Sequence, residues 1–259
     1  MAYQHIRSRD NPLFKQLKAI GGSARERRAA GKLLLDGAHL LESYLQVFGE
    51  PELLIVSEGE LALDVMHLLD RLYGIRTITM PASMFAAISP VTTPTGILAL
   101  VPTPVLPPPA QPEFVLMLEN IQDPGNLGSL LRNAAAAGVD VAYLSAGCTE
   151  AWSPRALRGG QGAHFVLPIV EQADLAQVIR DFPGRTLATA MHGSSLFDED
   201  LTGSVAFVIG NEGAGLSQEV TDLATRRVTI PMPGRVESLN AAAAAAICLF
   251  ERVRQVRAA

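Results

Sequence analysis

Six uninterrupted apolar runs after residue 113 constrain the fold of this chain more than any other feature. The runs are FVLMLE (114–119), VAYLS (141–145), HFVLPIV (164–170), TLATAM (186–191), VAFVIG (205–210) and VTIPM (228–232). Continuous apolar runs are typical of strands that are buried on both faces. Helix-compatible stretches separate them, notably at 127–137, 173–181, 216–224 and 239–256. The pattern predicts an α/β fold with a mostly parallel sheet covered by helices, in which ligands bind outside the carboxyl ends of the strands.

A proline-rich segment separates this region from an earlier α/β pattern. Six prolines fall in VPTPVLPPPAQP (101–112) and favour an extended, semi-rigid linker. Before it, strands are predicted at 32–36, 52–57, 75–80 and 96–101, and helices at 38–48, 59–73 and 81–88. We therefore predict a basic helical arm and a small α/β domain over 1–101, a linker over 102–112, and a second domain over 113–259.

The first 32 residues are strongly basic, although the whole chain carries a net charge of −5. They contain eight lysines and arginines against two acidic residues. A basic segment on an acidic body is typical of proteins that bind phosphates. A solvated helical face explains the same charges equally well, so both interpretations stay open at this point.

The composition excludes several classes of protein. Cys148 and Cys248 lie far apart without a C-x-x-C spacing, which fits a reducing compartment and argues against a zinc site or a disulfide scaffold. The amino terminus has no apolar signal region, and the longest apolar run (241–250) is far shorter than the roughly 20 residues that span a bilayer. We predict a soluble cytoplasmic protein with no metal and no membrane partner.

Three loops that follow predicted strands carry the polar residues of a candidate site. LENIQDPGNLGSLLRNAAAAGV (118–139) contains Asn126 and Arg132, FVIGNEGAGLSQE (207–219) contains Glu212, and IPMPGRVESLN (230–240) contains Ser238 and Asn240. The chain lacks the G-x-G-x-x-G dinucleotide fingerprint, the phosphate-loop lysine and the G-x-S-x-G elbow. Each loop alone is equally compatible with a capped turn before a helix. The residues therefore predict a polar site without naming its chemistry.

Taken together and in order, the three loops resemble the signature motifs of a known family. D-P-G-N-L-G-S-L-L-R-N-A, I-G-N-E-G-A-G-L-S and I-P-M-P-G-R-V-E-S-L-N-A-A-A-A-A resemble those of the SpoU, or TrmH, RNA 2′-O-ribose methyltransferases of the SPOUT superfamily. LLLDGAHLLESYL and TTPTGILALV look like the amino-terminal, L30e-like RNA-binding domain of that family. The resemblance implies a SPOUT domain with a deep trefoil knot and a homodimer formed through it, with helices 127–137 and 239–256 in the interface.

The resemblance also implies a cofactor and its site. Loops after Met191, Gly210 and Met232 would bind S-adenosylmethionine, largely through backbone groups. The residues expected against the cofactor are Ala190, Met191, Gly210, Ile230, Met232 and Leu239. The six consecutive alanines from residue 241 fit a helix that packs closely against other backbone, because alanine combines high helix propensity with a small side chain. An ordinary alanine-rich core helix accounts for them equally well.

The implied reaction is methyl transfer to a ribose 2′-hydroxyl of structured RNA. The residues expected to act on the acceptor are Arg132, Asn126, Glu212, Ser238 and Asn240, with Arg132 as the family's catalytic arginine. The acceptor RNA would be bound by the first domain, the basic arm, Arg155 and Arg158.

Two other classes of function stay open on the sequence alone. One is a methyltransferase of the same superfamily that acts on the guanine base. The other is a non-catalytic RNA-binding protein or a nucleotide-dependent enzyme. The motifs do not distinguish rRNA from tRNA as the acceptor.

Overall fold

The computed structural model describes residues 3–89, 91, 94–236 and 238–258 of the chain. These residues form two compact units, which we describe separately. The amino-terminal unit comprises residues up to 104 together with 152–165, and the carboxyl-terminal unit comprises 105–151 and the residues from 166 onwards.

The described residues contain eleven strands and ten α-helices. The strands are β1 Gln4–His5, β2 Lys32–Asp36, β3 Leu53–Ser57, β4 Thr77–Met80, β5 Ile97–Pro102, β6 Phe114–Leu118, β7 Val141–Ser145, β8 Ile169–Ala173, β9 Arg185–Ser195, β10 Val205–Ile209 and β11 Arg226–Thr229. The helices are α1 Pro12–Gly22, α2 Ala24–Ala30, α3 Ala38–Phe48, α4 Leu63–Arg71, α5 Ala82–Ile88, α6 Pro124–Ala137, α7 Pro154–Gly160, α8 Leu175–Asp181, α9 Gln218–Leu223 and α10 Ala241–Ala258. The sequence did not indicate β1 or α7.

The amino-terminal unit is built on a mixed five-stranded sheet in the order β1-β4-β3-β5-β2. Strand β5 runs antiparallel to both β2 and β3, whereas β4 pairs parallel with β1 and β3. Alternate residues of β2 enter two different apolar clusters: Leu33 and Leu35 pack on one face, and Leu34 on the other. Because successive strand side chains point to opposite faces, this alternation lets helices cover both sides of the sheet.

Residues 152–165 group with the amino-terminal unit because their apolar side chains pack there. Leu157 and Phe165 belong to the cluster that contains Leu33 and Tyr44, and the ring of Phe165 meets that of Tyr44 edge-on at 5.5 Å. The predicted second domain (113–259) included this segment. The domain boundaries at 101 and 113 themselves stay predictions.

The strand predicted at 164–170 is wrong in its first half. Residues Ala163–Phe165 form a single 3₁₀ turn, and the strand begins only at Ile169. His164 and Phe165 are fully buried, so their apolar surroundings come from tertiary packing and not from a place in the sheet. Pro168 stands directly before the strand, and proline lacks the amide hydrogen that a sheet interior requires.

The basic segment is helical, as predicted, but one of its arginines is structural. Helix α1 is capped by Asn11 and buries Phe14 in the core, and Ser23 caps α2. Arg27 is 6% exposed, and its Nη1 donates to the carbonyl oxygens of Ile20 at 2.8 Å and Gly21 at 3.2 Å. A guanidinium held in this way stabilises the end of α1 and is not presented to a ligand.

The carboxyl-terminal unit contains a six-stranded sheet in the order β11-β9-β10-β6-β7-β8. Every pairing in it is parallel, and all residues of the two central strands, β6 and β10, are buried. This confirms the predicted parallel sheet buried on both faces. The carboxyl ends of β6, β9, β10 and β11 lie along one edge, since parallel strands end on the same side.

Helix α10 packs beside α6 through its small residues. Ala242 and Ala245 are buried, and the side-chain amide of Asn133 on α6 donates to the carbonyl oxygen of Ala242 at 2.8 Å. A bond from one helix to the backbone of another needs close approach, which alanine side chains permit. The chain threading that a trefoil knot requires stays a prediction. Within the described part of the chain, the helices are too short or too polar to cross a membrane.

Candidate cofactor and acceptor site

A cavity of about 460 Å³ opens at the carboxyl ends of β10 and β11 and beside residues 189–191 of β9. Its size falls in the range of about 300 to 1,000 Å³ that is usual for small-molecule sites. The walls come from 189–191, 209–216 and 228–230, with further residues from the loop before α10 and from α10 itself. This is the strand edge at which the sequence predicted a ligand.

Most of the predicted site residues lie on the wall of this cavity. Those that line it are Ala190, Met191, Gly210, Glu212, Ile230, Met232, Ser238 and Leu239. Asn126 is hydrogen-bonded to Glu212, and Asn240 is hydrogen-bonded to Asn126. Arg132 is the one predicted site residue that neither lines the cavity nor joins this network among the described residues.

The loop at 210–216 forms one continuous wall. Its first residue must be glycine, because a Cβ on Gly210 would lie 2.4 Å from the carbonyl carbon of Gly215. Asn211 closes the loop with two backbone bonds to Gly215, at 3.0 and 2.9 Å. Its side-chain oxygen also accepts from the amides of Gly213 and Ala214, each at 2.9 Å. The loop therefore holds its shape through its own polar groups and turns a backbone-rich surface towards the cavity.

A row of three polar side chains joins this loop to two helix starts. Asn126 donates from Nδ2 to Oε1 of Glu212 at 2.9 Å, and its Oδ1 accepts from Nδ2 of Asn240 at 3.0 Å. Each asparagine is at the beginning of a helix. The amide of Asn126 donates to the Asp123 cap of α6, and Oδ1 of Asn240 accepts from the amides at the start of α10. The capping bonds fix the positions of both asparagines, Asn240 holds the side-chain amide of Asn126, and Asn126 in turn holds the Glu212 carboxylate.

Arg132 occupies an exposed position on α6. Its guanidinium has no hydrogen bond or ion pair with any residue that the structure describes. Five donors in a planar fork are therefore available to a ligand such as a phosphate. The structure does not bring Arg132 to the cavity wall, and its predicted catalytic role remains a prediction.

One face of α10 contributes wall residues that the sequence analysis missed. Ala241, Ala244 and Cys248 line the cavity, and their spacing of three and four residues places them on one side of the helix. That spacing within an alanine run was the signal that could have identified them. Burial raises the pKa of the Cys248 thiol to about 12, so this cysteine is neutral near pH 7 and is not a nucleophile.

A smaller cavity of about 220 Å³ lies in the amino-terminal unit beside Asp36. Burial raises the pKa of this carboxyl, which accepts hydrogen bonds from Ser89 at 2.6 Å and Thr95 at 3.3 Å. These bonds tie the chain after α5 to the end of β2. Asp36 is thus accounted for by its structural partners, and the larger cavity is the better candidate site.

The chain matches two family models. The SpoU rRNA Methylase family model matches residues 113–250, and the MRM3-like substrate binding domain model matches residues 11–99. The chain therefore belongs to the SpoU rRNA methylase family, a class of RNA methyltransferases. The predicted family and fold class are confirmed.

Individual relatives agree with this assignment. The 23S rRNA (guanosine(2553)-2′-O)-methyltransferase RlmP of Bacillus subtilis is 31% identical over 95% of this chain and 98% of its own length. The SpoU methyltransferase AviRb of Streptomyces viridochromogenes, solved in complex with the cofactor AdoMet, has a TM-score of 0.84 at 28% identity and covers 95% of this chain and 98% of AviRb. The TrmH/SpoU tRNA modifying enzyme of A. aeolicus has a TM-score of 0.51 at 25% identity and covers 57% of this chain and 77% of its own.

The large cavity suits S-adenosylmethionine, whose role as the cofactor is confirmed by the family. The ligand combines a flat apolar ring system with polar amino-acid and ribose groups. Ile209, Leu196 and Ile230 supply apolar surface, and the backbone of the 210–216 loop supplies hydrogen-bonding groups. Among the described residues, no cluster of acidic, histidine or cysteine side chains could hold a metal ion.

We predict that Ala244→Leu weakens S-adenosylmethionine binding at least about tenfold, because the larger side chain enters the cavity and overpacking costs about 1 to 3 kcal/mol. Ala243→Leu is the matched control, since Ala243 is the exposed neighbour on the same helix. Calorimetric titration of both variants, with melting temperatures, measures the difference. Equal affinity in the two variants would place the cofactor outside this cavity.

Proposed function

We propose that this chain transfers a methyl group from S-adenosylmethionine to a ribose 2′-hydroxyl of rRNA, with the acceptor bound beside Glu212. The single observation that carries the proposal is the double role of Glu212. Glu212 lines the cofactor cavity, and its carboxylate is the last acceptor in the hydrogen-bonded row that runs from Asn240 through Asn126. A polar network fixed at the rim of the cofactor cavity is what a reaction between the cofactor and a second substrate requires.

The choice of rRNA rests on how much of the chain each kind of relative matches. RlmP, which is named for a guanosine of 23S rRNA, aligns with nearly the whole chain. The A. aeolicus enzyme, named for tRNA, matches little more than half of it. The amino-terminal region therefore resembles rRNA enzymes, and we propose a guanosine 2′-hydroxyl of rRNA as the first acceptor to test.

The proposed division of labour follows from the chemistry of the acceptor. Bound S-adenosylmethionine supplies an electrophilic methyl group. A ribose hydroxyl is a weak nucleophile, so the chain must align it and assist the loss of its proton. We assign the alignment to Asn126, Glu212, Ser238 and Asn240. Ser238 shares the cavity wall with Glu212, Asn126 donates to Glu212, and Asn240 donates to Asn126.

Arg132 is proposed to act on the RNA side of the site. A guanidinium is protonated near neutral pH, so it is a poor base when it acts alone. It can hold the phosphate next to the reacting ribose and stabilise the oxyanion that forms as the proton leaves. Its exposure and its lack of a partner among the described residues support this role.

We predict that Arg132→Ala lowers single-turnover methyl transfer to rRNA by about 10² to 10⁴, a range that includes the usual losses for a donor to a developing oxyanion and for a group that assists proton transfer. Arg132→Lys should not restore the rate, because lysine lacks the planar fork of donors. S-adenosylmethionine affinity should be unchanged in both variants. The measurement is transfer of labelled methyl from S-adenosylmethionine, with calorimetry of cofactor binding alongside.

Two controls separate this role from others. An RNA that carries 2′-deoxyguanosine at the methylated position tests the reaction itself, since label on that substrate would contradict ribose methylation. A melting curve tests the arginine, because a side chain that only braces α6 would lower stability with little specific loss of rate. Near-normal turnover in Arg132→Ala would remove this residue from the mechanism.

We also propose that the basic segment binds RNA phosphates. Its solvent-exposed cations support this: Arg7, Arg9, Lys15, Lys18, Arg25 and Arg28. Arg155 and Arg158 are exposed on α7 and are proposed to contribute. Binding of this kind releases counterions, so the dependence of affinity on salt counts the phosphate contacts.

We predict that Arg25→Ala combined with Arg28→Ala weakens RNA binding and reduces the slope of log affinity against log salt concentration by roughly 1 to 2. The single variant Arg27→Ala is the control. It should leave that slope unchanged and instead lower the free energy of unfolding by about 1 to 3 kcal/mol, because Arg27 is bonded inside the fold. An unaltered slope in the double variant would mean that the segment is a solvated surface.

Homodimerisation through the carboxyl-terminal unit, and a cytoplasmic location, are further parts of the proposal. Large apolar side chains exposed on this unit support a dimer, among them Phe250 on α10 and Met191 at the cavity rim. The expected interface includes helices α6 and α10. Light scattering measures the mass in solution. A mass of 27.6 kDa, that of one chain, in a fully active sample would contradict the proposed homodimer.

A further inference from the structure

We infer that Glu119, directly after β6, is a positioning residue that holds the 210–216 loop in the shape that binds the cofactor. Glu119 does not line the cavity among the described residues, so it would act through the loop. The inference rests on the proposed function, since it concerns the site of the same reaction. It adds a residue that lies outside both the cavity wall and the acceptor row.

The carboxylate of Glu119 anchors the carboxyl end of the loop. Its Oε2 accepts from the backbone amide of Ser217 at 2.7 Å, and its Oε1 accepts from the Ser217 hydroxyl, also at 2.7 Å. Both bonds are short, as expected when the acceptor is charged. Ser217 directly follows the loop, and its hydroxyl oxygen also caps α9 by accepting from Val220 at 3.3 Å. One carboxylate therefore fixes the point at which the loop becomes helix α9.

The environment of Glu119 makes this anchor a strong one. The residue is 8% exposed and follows the fully buried strand β6. A carboxylate buried to this extent loses most of its hydration and needs donors from the protein in return. The two bonds from Ser217 supply them. Movement of the loop end away from Glu119 would leave a buried charge without these donors, which is energetically costly.

The next residue anchors the other end of the loop. The carbonyl oxygen of Asn120 accepts from Nδ2 of Asn211 at 2.9 Å. Asn120 has a φ of 55°, in the left-handed region that few non-glycine residues adopt. Its side chain needs Gly147 as a neighbour, because a Cβ there would lie 1.8 Å from Oδ1 of Asn120. Glu119 and Asn120, which follow β6, thus bind the two ends of the 210–216 loop through hydrogen bonds.

The consequence concerns cofactor affinity. All seven residues of the loop line the cavity, and internal bonds make the loop a compact body. If one anchor is lost, the loop spends part of its time in conformations that do not bind. The apparent dissociation constant then rises in inverse proportion to the fraction of molecules with the competent loop. At saturating cofactor the loop is held again, so the rate of methyl transfer should recover.

The test is Glu119→Met, which keeps the length of the side chain and removes both acceptor oxygens. We expect the dissociation constant for S-adenosylmethionine to rise about 10- to 100-fold, the loss that corresponds to a hydrogen bond with a charged group. The maximal rate at saturating cofactor should stay within about threefold of the wild type. Glu119→Gln keeps one acceptor oxygen, so its affinity for S-adenosylmethionine should lie between those of the wild type and Glu119→Met. Calorimetry and steady-state kinetics with varied cofactor give these values.

Glu251→Met is the matched control. Glu251 is also 8% exposed and is bonded by Arg254 and Gln255 on α10, where it does not touch the loop. The Glu251→Met variant should have a lower melting temperature and an unchanged affinity for S-adenosylmethionine. An equal loss of affinity in the two variants would overturn the inference, because it would follow from general destabilisation. Wild-type affinity in Glu119→Met would overturn it as well.

Two further measurements keep the result unambiguous. If Glu119→Met does not fold, Ser217→Ala removes the hydroxyl donor to Glu119 together with the cap of α9 and keeps the backbone donor. It should weaken cofactor binding in the same direction by a smaller factor; unchanged affinity there would overturn the inference. Cofactor binding by the wild type is measured first. Absence of binding would contradict the proposed function itself, whereas wild-type binding combined with an unaffected Glu119 variant contradicts only the positioning role.

Discussion

The side-chain amide of Asn126 is the interaction on which the rest of the site depends. It donates to Glu212 on one side and accepts from Asn240 on the other, and so joins loops that are 86 and 114 residues distant in the chain. An asparagine can do this because one planar group carries both a donor and an acceptor. The helix caps at Asp123 and Asn240 fix the positions of the two asparagines. The cofactor cavity and the proposed acceptor site therefore share one rigid polar boundary.

Small residues make that boundary possible, because backbone segments must approach one another closely around the cavity. Gly210 leaves room for the backbone at Gly215, and Ala242 lets the start of α10 accept a bond from Asn133 on α6. The alanine run thus has two faces with different purposes. Ala245 is buried in the packing of the helix, while Ala244 forms part of the cavity wall. Both interpretations that the sequence allowed for these alanines concerned packing, and neither predicted the face that lines the cavity.

Much of the architecture could be predicted, because local patterns specify it. Strands such as Phe114–Leu118 and Val205–Ile209 are continuous apolar runs, and the structure buries them on both faces. The prediction failed where burial has another cause. Phe165 belongs to an apolar run, yet it packs in the amino-terminal unit and outside the strand. Arg27 belongs to a basic run, yet its guanidinium turns inwards to the end of α1. Local sequence does not reveal which side of a helix faces the core when neighbouring residues have the same character.

The sequence by itself predicted the parallel sheet, because continuous apolar runs indicate strands that are buried on both faces. The family, the cofactor and eight of the residues that line the cavity followed from the resemblance of its three motifs to those of the SpoU family. Only the tertiary structure decided how these residues are held. The bonds from Ser217 to Glu119 and from Asn211 to Asn120 join positions 98 and 91 residues apart. Arg132, which the motif predicted to act on the acceptor, stands exposed on α6 and is not among the described residues that line the cavity. Hydrogen bonds between distant loops depend on the path of the whole chain, and neither periodicity nor spacing within a loop contains that path.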